Sequence, residues 1–233
     1  MIFKRFPIYC LLMSFSLLNL EVNAAQDASL QRVQQIAEYT IKMQILDAPN
    51  PQLITQKLAE LMVGNPLDHV AVQRFTDPIP VEGIANYLRK SNLQGLSSIE
   101  AKQMKPVIEK EIQQVSSMFR SCKIDSDIQK IQTDYLVEIT CRVPKPNADE
   151  KNAFQQQLLK FKSESAAVQK INYLHTKQQI FAQSEYQDFK STLWIEIEDN
   201  GILRAVIEND AYFPNIVIDQ RDRALELRKS ATD

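Results

Sequence analysis

Apolar residues recur at every third or fourth position through the first half of this chain, and at every second position in two later stretches. The first pattern makes helices and the second makes strands. Leu30, Val33, Ala37 and Ile41 form one helical stripe. A second stripe, Ile54, Leu58, Leu61 and Met62, is punctuated at both ends. Asn50 is placed to cap it, Pro51 occupies the first helical position, and Gly64 closes it ahead of Pro66. Asp77-Pro78-Ile79-Pro80 reads as an extended connector, because each proline drives its predecessor out of the α region. A short helix around Glu82–Lys90 and a loop near Gly95 follow. Ser97-Ser98-Ile99-Glu100 fits a capping box that opens a helix towards Met118, which Pro106 is expected to kink or restart.

The period changes near Arg120. Tyr135, Val137, Ile139, Cys141 and Val143 alternate with Leu136, Glu138, Thr140 and Arg142, the signature of a half-buried strand. Pro144 and Pro146 should end it, and Asn147-Ala148-Asp149-Glu150 should start a helix with Phe154, Leu158, Phe161 and Val168 on one face. A single helix from there to Gln183 would be unusually long, so a break is expected at Ser163-Glu164-Ser165. Thr192–Glu208 reads as a hairpin turning at Asp199-Asn200-Gly201, with glycine at the left-handed bulge position. A three-residue turn opposes Ile197 with Leu203, Ile195 with Ala205, Leu193 with Ile207, Glu196 with Arg204, and Trp194 with Val206. A two-residue turn would set Ile197 against Arg204, which matches worse. Ile216, Val217 and Ile218 suggest one further strand. The fold class is therefore α+β: a helical N-terminal region, 25–118, and an α+β region, 119–233, whose antiparallel sheet packs against helices.

The N-terminus adds a destination. Lys4 and Arg5 precede the short apolar run Phe6–Leu20, and Val22-Asn23-Ala24 supplies small residues for a signal peptidase. Residues 1–24 are thus expected to be a secretory signal peptide cleaved after Ala24. The run is too short and too interrupted to span a bilayer, and nothing after it is long enough. Export changes the reading of the cysteines. Cys10 leaves with the signal, and Cys122 and Cys141 remain as one expected disulfide that staples the sheet. If the two sat directly opposite, the turn between them would centre on Ile131 and Gln132. Those are poor turn residues; Thr133-Asp134 or Asp125–Asp127 are better, and the register stays open.

Charge excludes one class of partner. The formal net charge is −2, and loss of Lys4, Arg5 and Glu21 would make it one unit more negative. Basic and acidic residues alternate, leaving no cationic stripe for nucleic acid.

Reactive groups are sparse. The four glycines all serve caps, loops or turns, so no phosphate loop or dinucleotide fingerprint can be built. His69 and His175 are the only histidines, neither has a second ligand at metal spacing, and both read as surface residues. Asp125-Ser126-Asp127 resembles the start of a calcium loop without its glycine or closing glutamate. No catalytic set, cofactor or metal site is expected. Glu196, Glu198 and Asp199 cluster near the hairpin tip, where a carboxylate pair for glycan hydrolysis is conceivable. A solvated strand face is the plainer reading.

Trp194, the single tryptophan, points away from Ile195 and Ile197. If a helix covers that face, Trp194 is core. Otherwise Trp194, Val206 and Ile202 form an exposed apolar patch for a partner. These features point to a periplasmic or secreted, non-catalytic binding or envelope-accessory protein with an unidentified protein or peptide partner. A hydrolase using carboxylates and an inhibitor or immunity-type protein are the alternatives.

Overall fold

The computed structural model describes residues 29–76, 83–198 and 200–226. The expected signal peptide with its cleavage position, the expected Asp77–Pro80 connector, Glu82 and Asp199 lie outside the described residues. Among the described residues, eight α-helices and four strands alternate in the order of an α+β fold. They are α1 (29–43), α2 (Pro51–Val63), α3 (His69–Thr76), α4 (Gly83–Leu93), α5 (Ser98–Arg120), β1 (Lys123–Ile131), β2 (Asp134–Lys145), α6 (Ala148–Lys160), α7 (Ala166–Gln183), β3 (Glu185–Ile197), β4 (Leu203–Val206) and α8 (Asn215–Asp222).

Helix α1 buries the predicted stripe, with Ile36 added: Val33, Ile36 and Ala37 are fully buried. Pro51 opens α2 as read from the sequence, but Asn50 does not cap it with its side chain. Asn50 instead takes a left-handed backbone, φ 56°, and its carbonyl accepts from the amides of Leu53 and Ile54. At the other end Gly64 has φ 77° and its amide donates to the Glu60 carbonyl. Arg32 of α1 closes the same end, donating from Nε to Leu61 and from Nη2 to Met62, both at 2.6 Å. The positive φ favours glycine there, and a Cβ, 2.6 Å from that guanidinium, would push Arg32 off the carbonyls it caps.

Helix α5 carries the capping box in full. Ser97 Oγ accepts from the Glu100 amide, and Glu100 accepts from the Ser97 amide at 2.9 Å. The expected restart at Pro106 does not occur; α5 runs unbroken from Ser98 to Arg120. Pro106 is on the solvent face, where water can serve the carbonyl it leaves free, while Met104, Val107, Ile108, Ile112, Val115 and Phe119 are buried beneath. That packing outweighs the roughly 3 kcal/mol a helix-interior proline costs.

The sheet has the order β1-β2-β3-β4, antiparallel throughout. Its spine is β2 against β3, in continuous register from Tyr135↔Ile195 to Lys145↔Glu185. The end of β2 thus opposes the start of β3, and the intervening chain must leave and return. It does so as the helical pair α6 and α7, broken near the expected place: Asn147 and Glu150 form a capping box on α6, and Ser165 caps α7. The strand β2 does not end at Pro144 but continues through it to Lys145, two residue pairs beyond Val143. Pairing with β1 ends at Thr140, so a missing N–H beyond it interrupts no ladder on that side. The β3–β4 hairpin has the predicted register, Ile197↔Leu203 to Trp194↔Val206, with Gly201 at φ 79°.

Residues 216–218 are not a strand. They lie in α8, where Val217 and Arg221, four residues apart, are buried, and Phe213 just ahead of the helix is buried with them. Three consecutive apolar residues fit either period, and the polar run Asp219–Arg221 after them continues the helix.

The inner face of the sheet, Tyr135, Val137, Ile139, Cys141, Val143, Leu193, Ile195, Leu203 and Ala205, shares one core with α1, α2, the end of α5, Phe213 and Val217. Phe119 meets Phe213 edge-on with ring centroids 5.8 Å apart. A second cluster joins α5 to Ile171 and Leu174 of α7, and a third joins Phe154, Phe181 and Leu225. The Cys122–Cys141 disulfide is present and ties the end of α5 to β2.

Candidate functional site

Strand β4 has four residues and sits last in the described sheet, with α2 packed against it. A pocket of about 270 Å³ lies between them. Its walls are Met43 in the last turn of α1, Thr55, Leu58, Ala59 and Met62 of α2, and Phe75 of α3, facing Ala205 and Ile207. Arg74, Arg204 and Glu208 add the charged groups. Thr55, Leu58, Ala59, Met62 and Ala205 are buried, whereas the Arg74 and Glu208 side chains are 62% and 70% exposed. The floor is therefore apolar and the rim ionic, the usual division of labour in a small-molecule pocket.

The rim is organised around Arg204. Its Nη2 donates to Glu196 at 2.9 Å, its Nε lies 3.9 Å from Glu198, and its Nη1 is 4.0 Å from Glu208. Arg74 is 3.5 Å from Glu198 and lies over the Phe75 ring at 5.4 Å. Glu196 and Glu198, two of the three carboxylates of the hairpin-tip cluster, are thus both engaged by guanidinium groups.

On the outer face of the hairpin, Trp194 stands between Leu136 and Val206 of the neighbouring strands. All three are half-buried. Neither expected environment of Trp194 is found in full: a loop residue, Tyr212, lies against the ring at 5.5 Å, and the indole N–H donates to Asp134 at 3.0 Å. Ile202 is buried and offers no exposed surface. Trp194→Ala should cost about 2–3 kcal/mol, somewhat less than truncation of a fully buried tryptophan. His69→Ala and His175→Ala, both at exposed helix positions, should stay within about 0.5 kcal/mol of the parent, with urea unfolding as the measurement for all three variants.

An ionic cluster that the sequence reading missed joins α5, α7 and α8. Glu111 bonds to Arg221 and to Lys177, the latter at 3.1 Å, and Asp222 lies 3.4 Å from Lys177 and 3.6 Å from Arg221. Lys177 and Arg221 are 4% and 2% exposed. Burial alone would push the Glu111 carboxyl up. The charges of Arg221 and Lys177, with the hydrogen bonds they donate, outweigh it and hold Glu111 below the ordinary glutamate range. Gln178 packs alongside, donating to the Val107 carbonyl at 2.7 Å. Two acids and two bases balance, which suits a structural clamp. Lys177 lies three residues after Leu174 and four before Phe181, at the edge of the buried stripe of α7, but its partners are on α5 and α8, which periodicity within α7 does not reveal.

Among the described residues, no group of three or more histidine, cysteine or carboxylate side chains could hold a metal ion, and no helix is long and apolar enough to cross a membrane. Comparisons with protein-family models, with curated proteins and with solved structures found no match to this chain.

Proposed function

We infer that this is an exported, non-catalytic binding protein of a bacterial envelope, and that its ligand occupies the pocket between α2, α3 and β4. The pocket carries the reading: an apolar floor from α1, α2 and α3 facing the hairpin, under an exposed ionic rim. Lys4-Arg5, the short apolar run and Val22-Asn23-Ala24 support export, and the Cys122–Cys141 bridge suits an oxidising compartment. A protein partner is the second reading, favoured by the half-buried row Leu136, Trp194 and Val206 on the opposite face.

Native mass spectrometry of protein isolated from the envelope fraction tests both parts. The chain should begin at Ala25, and a co-purifying small mass should be lost from Ala59→Leu, which adds a side chain inside the pocket. A chain beginning at Met1 would overturn export. A mass that survives Ala59→Leu and vanishes with Trp194→Ala would move the site to the outer face.

A further inference from the structure

We propose that the pocket between α2, α3 and β4 selects a small uncharged molecule, an apolar body with one hydrogen-bonding oxygen, and that the Thr55 hydroxyl is the contact for that oxygen. The proposal rests on the reading of this pocket as the binding site and names its ligand class. Thr55 carries it. It is 7% exposed and lines the wall, yet its hydroxyl makes no hydrogen bond among the described residues. Thr40 of α1, fully buried, shows the ordinary arrangement: its Oγ1 donates to the Ile36 carbonyl, four residues back, at 2.8 Å. Thr55 makes no such bond to Pro51. The unpartnered oxygens of Gln114, Gln178 and Ser191 are sealed from solvent, whereas Thr55 borders open space in the pocket. A hydroxyl held without a partner in an apolar wall costs free energy, and a ligand oxygen that meets it removes that cost.

The rim adds no preference for an ion. Arg74 lies 3.5 Å from Glu198, and Arg204 lies within 4.0 Å of Glu196, Glu198 and Glu208. Every one of these charges has an opposite one beside it, so an ion of either sign would gain a contact only by disturbing a pair already made. It would also give up hydration over an apolar floor. The floor sets the size. Met43, Met62, Phe75 and Ile207 present adaptable apolar surface. An apolar cavity of roughly 150 Å³ holds benzene. The volume here, about 270 Å³, suits one ring with a short substituent better than an extended lipid.

Benzyl alcohol, toluene, benzylamine and benzoate share a ring and differ in the group attached, so titration calorimetry of the purified, unreduced protein at neutral pH separates the contributions. Benzyl alcohol should bind more tightly than either ion. Thr55→Val keeps the shape of the wall and strands no partner. It should weaken benzyl alcohol by about fivefold and leave toluene unchanged. Ala59→Leu should weaken every compound that binds. Three results would overturn the proposal: an ion binding as tightly as benzyl alcohol, benzyl alcohol indifferent to Thr55→Val, or no binding of benzyl alcohol at all. In each case the co-purifying mass and its response to Ala59→Leu still decide whether the pocket is the site. If the compounds bind and none responds to Ala59→Leu in a variant whose melting shows it folded, the pocket reading falls and the proposal with it.

Discussion

Glu111→Ala should destabilise the protein by about 3–5 kcal/mol, the range expected when one partner of a buried ion pair is removed. The effect should exceed that of truncating any surface carboxylate, because of what is left behind. Lys177 and Arg221 would stay buried with Asp222, whose side chain is 46% exposed, as the one anion left within salt-bridge distance among the described residues. Glu111→Gln keeps the shape and part of the hydrogen bonding, and should cost less. Acidity gives an independent readout. The folded carboxyl of Glu111 is held below its ordinary value of about 4.3. Its stabilising contribution is therefore fully present above the unfolded value and is lost as pH falls through the lower folded one. Urea unfolding between neutral and strongly acid pH should show that loss in the parent and a flatter acid limb in Glu111→Gln. Equal slopes in the two proteins would mean that Arg221 and Lys177 do not hold the charged form of Glu111.

Most of the fold could be read from the chain where period and punctuation agree. Ser97 with Glu100, Asn147 with Glu150, and Ser165 each mark a helix start, and each cap is made. The hairpin register followed from matching Ile197 to Leu203 and Glu196 to Arg204 across a three-residue turn. Failures have local causes. The first half of β3, Glu185–Ser191, was not read as a strand because its side chains are largely exposed and polar; the alternation it shows is set by pairing with β2. The turn between β1 and β2 illustrates a different limit. Lys123↔Thr140 and Ile124↔Ile139 place Cys122 opposite Cys141, and an even ladder would then turn at Ile131-Gln132. An irregularity between Ile124 and Ile128 shifts the register, so Ile131 pairs with Asp134 and the turn becomes Gln132-Thr133, with Gln132 at φ 57°. Asp125–Asp127, which has turn chemistry, falls within that irregularity and not at the turn. Candidate binding residues were the least legible. The pocket is assembled from four separate segments, and its rim charges acquire meaning only when the hairpin brings Glu196, Glu198 and Arg204 beside Arg74 of α3.

Removing the disulfide should cost about 3 kcal/mol, the chain-entropy expectation for a loop spanning a sequence separation of 19. Cys122 follows directly on α5 and Cys141 is fully buried on the inner face of β2, so the bridge fastens the helical layer to the sheet where both enter the common core. The double variant Cys122→Ser, Cys141→Ser adds the burial of a hydroxyl at position 141 to that loss. Cys122→Ala with Cys141→Val is the cleaner comparison, since an apolar residue there keeps the surroundings of Val137, Ile139 and Val143. Urea midpoints for this pair and for the unreduced parent should differ by the expected amount, and reductant should move the parent alone towards the variant. Counting thiols in denatured, unreduced protein then ties the bridge to export. Zero free thiols requires both the bridge and the loss of Cys10 with the signal peptide. One thiol means the bridge has formed on a chain that keeps its N-terminus, and two in a chain beginning at Ala25 would show that Cys122 and Cys141 are not joined.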